Sequence, residues 1–408
     1  MNQINYRELL GPLGQPVATG EIWGAFADAI RRAGEVVTLP HAPGTAHDRA
    51  EGYRYLTQLI QAALIMHVEF ADKDYPEFGR FMDTSIKWGQ DNTDCLYLKC
   101  SIRGDASYRV RGYGGNAHYL SLVATYGSFG DETPEDRHPG GSCGKITNLD
   151  LAYEPDGSFE LIVSPEPREG NWLRVGPKAD GLGVRQFFYD WDNERPWYLE
   201  IERIGAEYPP PRMTAEQLDK RLRGAMKFIS PGAQYWDRAS RGLCAQPVNQ
   251  LQMIERGRSV TDPDQHYGFG WYRVAEDEAL IVEIVPPPDA HYWSFQAYNW
   301  WQASWDYTYR QSSLNGHQAR RDPDGKVHLV LAHRDPAVHN WIDLMGHVEG
   351  LQTIRYLLSE SGPQPTTRLV KRTDVSRHLP AGTPVIDAQT RAAILRRRRR
   401  AVWRRFRG

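Results

Sequence analysis

The chain has 408 residues, 40% of them hydrophobic and 25% charged, and carries a net charge of −2. That balance excludes a disordered or fibrous chain and leaves length for two or three domains with buried cores. Cys95, Cys100, Cys143 and Cys244 lack the spacing of a zinc site or a disulfide framework, and the longest apolar stretch, near 59–66, is too short for a bilayer.

In chain order, the first residues lack the basic-then-apolar pattern of a secretory signal, so a cytoplasmic location is expected. Residues 19–34 read as an amphipathic helix closed by Gly34. Residues 47–70 read as a longer one, with Tyr53, Leu56, Leu59, Ile60, Ala63, Leu64 and His67 at helical spacing. Strand patterns begin near Cys95, turn at Arg103-Gly104-Asp105 and continue through an alternating run to Tyr113.

The chain then repeats itself. Ala117-His118-Tyr119 and Ala290-His291-Tyr292 open two similar apolar runs. Each is followed by a Pro-Asp-Gly turn (Pro155-Asp156-Gly157 and Pro323-Asp324-Gly325), an alternating run, an Asn-Trp pair (Asn171-Trp172 and Asn340-Trp341) and an Arg (Arg185 and Arg355). Four landmarks in the same order indicate a duplicated module. Short strands with tight turns over about 110 residues suggest a sandwich or jelly roll. Between the copies, the proline run after Tyr208 marks a boundary. Thr214 with Gln217 forms a capping box for a helix that should end before Pro231, with a second helix over 233–243.

The expected fold is therefore mainly β with helical additions. An N-terminal helical region (1–90) precedes a first β-sandwich repeat (91–205). A helical connector (206–261), a second repeat carrying the site (262–375) and a basic C-terminal helix (376–408) follow. The last twenty-one residues carry nine arginines and no acid. They suit a polybasic contact with an anionic surface or nucleic acid, or a helix docked on the protein's own acidic remainder. Docking is the favoured reading, with no nucleic acid partner.

Features found in one copy only are where a site should be sought. The chain contains 13 Trp and 21 Tyr. Large sheet cores use such residues, and so do clefts for sugars or apolar molecules. Alternation puts Trp293, Phe295 and Ala297 on a core face, and Ser294, Gln296, Tyr298 and Trp300 on the other. This second face, with Asn299, suits either a ligand or a solvated sheet. Asp306 lies between Trp305 and Tyr307. It reads either as a desolvated proton-transfer carboxyl or as a hydrogen-bonded turn residue. Asn315 and His317 precede the Pro-Asp-Gly turn, and His333, Arg334 and Asp335 follow it. A hairpin there would bring the two histidines together as an acid–base set or a salt-bridged strand end.

His339, Asp343 and His347 are four apart and would share a face only in a helix, so they are a weak metal alternative; no metal is expected. No nucleotide loop, nucleophile elbow or HExxH motif occurs, so no cofactor is expected either.

Several segments resemble a bacterial family of domains of unknown function, number 1214. They are Asp91-Asn92-Thr93-Asp94, Gly170-Asn171-Trp172-Leu173, Val184-Arg185-Gln186, Asp190-Trp191-Asp192, the run from Tyr292 to Gln296, Asn315-Gly316-His317, Asp322-Pro323-Asp324-Gly325 and Ala332-His333-Arg334-Asp335-Pro336 with Asn340-Trp341. The resemblance spans roughly residues 70–405, including the arginine-rich end, which favours a docked helix. It implies a β-rich fold and supplies no reaction.

The expected function is a cofactor-independent acid–base enzyme, a hydrolase, lyase or isomerase. It would act on a hydroxylated or cyclic small molecule such as a carbohydrate or terpenoid. Asp306, His317 and His333 would be catalytic. Gln296, Tyr298, Asn299, Trp300, Trp305, Tyr307, Asn315, Arg334 and Asp335 would hold the substrate. The competing expectation is a non-catalytic binding protein; a homo-oligomer is compatible with either.

Overall fold

The computed structural model describes residues 5–129, 140–254, 256 and 264–407. By contacts the chain forms two units. The first comprises Met1–Ile86, Cys95–Phe187 and Arg195–Trp236, and the second Lys87–Asp94, Phe188–Glu194 and Asp237–Gly408. These units cut across the boundaries read from the sequence: two short segments of the first half belong to the second unit.

In the first unit, helices α1 (Tyr6–Leu10), α2 (Gln15–Thr19), α3 (Glu21–Gly34) and α4 (Ala46–Leu64) come first. Thr45 caps α4 by accepting the Asp48 amide at 3.1 Å, and α4 runs on into a π-helical turn at Ile65–Glu69. Nine strands follow: β1 (Gly79–Met82), β2 (Cys95–Ser101), β3 (Tyr108–Tyr113), β4 (Tyr119–Tyr126), β5 (Gly141–Thr147), β6 (Phe159–Ser164), β7 (Trp172–Arg174), β8 (Gly181–Phe187) and β9 (Tyr198–Arg203). They form two sheets, ordered β1-β2-β8-β4-β5 and β7-β6-β3-β9. Alternate residues Tyr108 and Val110 of β3, and Leu161 and Val163 of β6, are fully buried, as expected of strands with one face on a core. Gly130 and Asp131, which replace the second copy's aromatic segment, lie outside the described residues.

Helix α5 (Ala215–Cys244) begins with the expected capping box. Thr214 Oγ1 accepts the Gln217 amide at 3.2 Å, and the Gln217 side chain accepts the Thr214 amide at 2.8 Å. It does not break where predicted, for Pro231 lies inside it. One proline removes a single intrahelical hydrogen bond, and fully buried Ala225, Met226 and Ile229 before it, with buried Ala233 after it, hold the helix together.

In the second unit, β10 (Gln252–Ile254), β11 (Gln265–Arg273), β12 (Glu278–Ile284), β13 (Tyr292–Tyr298), β14 (Ser313–Asn315), β15 (Val327–Ala332), β16 (Trp341–Asp343), β17 (Glu349–Leu357) and β18 (Thr366–Lys371) form sheets ordered β10-β11-β17-β13-β14 and β16-β15-β12-β18. Substituting each strand of the first unit by the one nine places later reproduces this order, down to the parallel pairs β6–β7 and β15–β16. The duplication read from short motifs is thus a duplication of topology. Helices α6 (Val375–His378) and α7 (Ala388–Arg407) complete the unit. Among the described residues no helix is long and apolar enough to cross a membrane.

One expectation is corrected. The Pro-Asp-Gly segments do not close hairpins. Gly325 donates to the Asp322 carbonyl at 2.9 Å, a local turn, but β14 and β15 belong to different sheets, as do β5 and β6. The turn redirects the chain from one sheet to the other, so it brings no strand ends side by side.

Candidate functional site

The face of β13 singled out by the sequence is built into the interior. Trp293, Phe295 and Ala297 enter the apolar core, as alternation requires. The opposite face is covered by residues 87–94. Gln296 donates to the Asp91 carbonyl at 2.9 Å and accepts the Thr93 amide at 3.1 Å. The Tyr298 hydroxyl donates to the Gln90 carbonyl at 3.2 Å and accepts from Arg355 at 2.7 Å. Asn315 donates to Asp94 at 3.0 Å and to the Tyr189 carbonyl at 3.1 Å. Asp91 accepts the Ser304 amide at 2.8 Å and its hydroxyl at 2.6 Å. Burial pushes the Asp91 carboxyl up, against the pull of Lys87 and of the Ser304 bonds. Polar groups so paired inside a fold define its packing, although Ser294, Gln352 and Thr353 of the same sheet keep buried side-chain atoms without a hydrogen-bond partner among the described residues.

The arginine-rich helix α7 docks within the second unit. Arg391 pairs with Asp335 at 2.9 Å and lies 5.2 Å from the centre of the Trp341 ring. Arg398, buried, donates to the Tyr307 carbonyl at 2.8 Å and to Ser313 Oγ at 2.7 Å, over the Trp191 ring. Burial pulls its guanidinium down to about 10, still charged at neutral pH. Arg405 donates to the Thr93 carbonyl at 2.6 Å and stacks on Phe188 and Trp191. Arg397 and Arg404 both reach Asp192.

The remaining predicted residues are dispersed. Asp306 accepts the Thr308 and Tyr309 amides at 3.1 and 3.2 Å, the role of a turn residue. Trp305 donates to the Asp343 carbonyl at 3.0 Å, and Asn299 accepts the Trp301 amide at 3.0 Å. Trp300 sits edge-on to Trp271 with ring centres 5.2 Å apart, and the Tyr307 ring lies under the Lys87 ammonium at 4.8 Å. His317 is half exposed, 3.6 Å from Asp190; His333 contacts the Val274 carbonyl at 2.9 Å. Arg334 pairs with Glu276 at 2.6 Å. With no hairpin to join them, the two histidines meet different partners. The metal alternative also fails geometrically, because Trp341–Asp343 is a strand. Asp343 is tied to Arg310 at 2.7 Å, His339 contacts Asn340 and His347 packs on Trp305. Asp306→Asn is expected to lower stability by no more than about 1 kcal/mol in urea titrations, the scale of one partly exposed hydrogen bond. A larger loss would contradict the turn role.

A cavity of about 740 Å³ lies instead in the first unit. Its walls come from α1, the π-helical turn, the 71–74 segment, β2, the Gly127–Phe129 segment, Asp180 and the first turns of α5. Most charges on these walls are cationic, but their partners differ. Arg221 pairs with Asp72 at 3.0 Å and Arg103 with Asp74 at 3.1 Å. Arg223 is locked to Asp219 and to the Tyr6 carbonyl at 2.6 Å. Lys73, Lys99 and Lys220 also line the cavity, and their side chains make no hydrogen bond or ion pair among the described residues.

Lys99 is the most constrained of the three. It lies on β2 with its backbone paired to Gly79 and Gly183, and a Cβ on Gly181 would stand only 2.8 Å from its Cε. Glycine at 181 therefore makes room for the lysine stem. Burial lowers the Lys99 pKa, Asp180 opposes this, and the nearby Lys73 ammonium adds to the lowering. Lys73 is lowered by burial as well. His67, at the same wall, is held neutral by burial, with its pKa down to about 3. Asp180 accepts the Gly127 amide through Oδ2 at 3.1 Å; its Oδ1 makes no hydrogen bond among the described residues. The one sequence signal for this site is Lys99 itself, the single charge in the otherwise uncharged strand Cys95–Ser101.

No curated protein matches the chain. A crystal structure of an uncharacterized protein from Burkholderia cenocepacia is 33% identical, with 88% of this chain and 99% of that one covered and a TM-score of 0.83. The VPA0106 protein from Vibrio parahaemolyticus is 11% identical over 84% of this chain and 100% of its own, with a TM-score of 0.43. The profile of a family described as "Protein of unknown function (DUF1214)" matches residues 99–188 and 277–358, once in each copy of the duplicated module. The chain therefore belongs to the DUF1214 family.

Proposed function

We propose that the protein is an enzyme that takes a small anionic molecule into the first-unit cavity and acts on it through the Lys99 amine. The observation that carries this reading is the surplus of unpaired ammonium groups. Lys73, Lys99 and Lys220 face one cavity, while each arginine around it, Arg103, Arg221 and Arg223, already has a carboxylate. Asp180 opposes the charge of Lys73 and Lys99 without bonding to either, so the cations on these walls outnumber the carboxylates and attract small anions, and a volume of about 740 Å³ suits a metabolite-sized ligand. The acid–base chemistry expected from the sequence keeps its character but changes its place and substrate charge. A lysine held below its ordinary pKa carries more free amine at a given pH than an exposed one.

Calorimetric titration with glutarate and citrate tests this. One site is expected, weakening as salt is added, and Lys73→Met with Lys220→Met should weaken it by about tenfold or more. Lys99 should also react with acetic anhydride faster than exposed lysines, by about tenfold per unit of pKa lowering, and glutarate should protect it. Absence of binding by both anions ends the reading. Binding beside an unreactive Lys99 leaves a binding protein without turnover, the competing expectation.

A further inference from the structure

We propose that Lys99 Nζ is a covalent nucleophile for the carbonyl carbon of a small oxo acid bound in the first-unit cavity. This rests on the anion-site reading and names its substrate class. The cavity supplies two things together: cations for a carboxylate and an amine that can act as a nucleophile. Lys73 and Lys220 are placed for the first role, since neither is engaged by a carboxylate among the described residues.

Lys99 has the features of the second. Its stem is fixed on a mid-sheet strand, against Gly181, so its amine is presented at one place rather than swept through solvent. The charged or ionisable groups acting on it are Asp180, the neighbouring Cys100, Lys73 and, at the same wall, His67. Of these only Lys73 adds positive charge near neutral pH, for His67 stays neutral. A lysine that is desolvated and beside another cation is the arrangement that frees an amine for imine formation.

The step balances with the groups present. The Lys99 lone pair forms the N–C bond, and the carbonyl π pair moves to oxygen. Asp180 Oδ1 takes a proton from nitrogen and returns it to that oxygen. The Lys73 ammonium gives a second proton, the hydroxyl leaves as water and nitrogen's remaining pair closes the C=N bond. Amine, carbonyl and the Lys73 proton become a protonated imine and water, Lys73 being left as the neutral amine, with no oxidant or reductant. The protonated imine draws electrons from an adjacent C–C or C–H bond, which defines lyase or isomerase chemistry.

The test uses the full chain with pyruvate and 2-oxoglutarate under sodium borohydride, followed by intact mass and peptide mapping. The expected result is one reduced adduct, at Lys99, exceeding any other lysine by about tenfold, the advantage of an amine held in place over one swept through solvent. Glutarate, which has no carbonyl, should leave no adduct and should suppress trapping by 2-oxoglutarate. Lys99→Arg should abolish the adduct, with an unchanged urea midpoint showing that the chain still folds. Glutarate binding without an adduct overturns the nucleophile and leaves the anion site standing. Adducts spread over surface lysines, or persisting in Lys99→Arg, overturn it too. Failure of both binding and trapping removes the anion site along with it.

Discussion

Asp94→Ala is expected to destabilise the second unit by about 3–5 kcal/mol, the cost of removing one partner from a buried charged cluster. Asp94 is 1% exposed, so its carboxylate depends wholly on protein donors. It accepts from the Tyr292 hydroxyl at 2.6 Å, the Trp191 indole at 2.7 Å and Asn315 at 3.0 Å. Burial pushes its carboxyl up, while Tyr292, Arg405, Arg398 and Trp191 pull it down. Three donors and two nearby guanidiniums work against that burial. Alanine would leave those donors unmet and Arg398 and Arg405 facing each other without a carboxylate. Asp94→Asn keeps the shape and one acceptor, and should cost less. Urea titration followed by tryptophan fluorescence measures both. Because α7 hangs on the same cluster, trypsin should cleave at Arg396–Arg400 sooner in Asp94→Ala. A loss under about 1 kcal/mol with unchanged cleavage would show that the cluster is a solvated surface feature.

The same cluster explains what was legible in the sequence. The duplicated topology was, because each copy repeats its turn and Asn-Trp landmarks and because Trp293, Phe295 and Ala297 obey the two-residue period of a strand. The opposite face of β13 was misread for a physical reason. Gln296, Tyr298 and Asn315 are the residue types that orient ligands, and they are also the types that satisfy a buried backbone. Their partners, Gln90 to Asp94, lie some 200 residues away, and no local pattern announces that contact. The docked α7 was half legible: its charge suggested an acidic receptor, but the receptors include backbone carbonyls of Thr93, Tyr307 and Ser313, invisible to charge counting. The cavity was not legible, since its walls come from segments spread from Tyr6 to Lys227. Lys99 alternates like an ordinary solvent-facing strand residue, and only its glycine neighbours in space reveal the room made for it.

Acid should act on the first unit through His67. The ring lies at the end of α4, 5.4 Å from the Phe228 ring and so close to Gly224 that a Cβ there would be 3.2 Å from Nδ1. Burial, with help from the Lys99 charge, lowers its pKa from 6.5 to about 3. Above pH 6.5 the imidazole is neutral in folded and unfolded chains alike, and contributes nothing to the difference between them. Below 6.5 the unfolded chain takes up a proton that the folded chain refuses until about pH 3, so stability is lost as pH falls through that window. The slope approaches about 1.4 kcal/mol per pH unit, giving about 2 kcal/mol by pH 5 and at most about 5 over the whole window, less whatever relaxation recovers. His339 in the second unit is lowered by burial as well, so the His67 contribution is read as the difference between wild type and His67→Leu over pH 6.5 to 5. His67→Leu should reduce the dependence there by about 2 kcal/mol at pH 5 while leaving the loss below pH 4.5 in place. Parallel curves for the two proteins, measured by urea midpoints, would mean that His67 charges freely in the folded state. A charged His67 would add a second cation beside Lys99, and the cavity would then favour anions more strongly, not less, as pH falls. Sulfate, which keeps its full charge over this pH interval, therefore tests the ring's state independently: its affinity should not rise in the wild-type chain from pH 6.5 to 5 if the imidazole remains neutral.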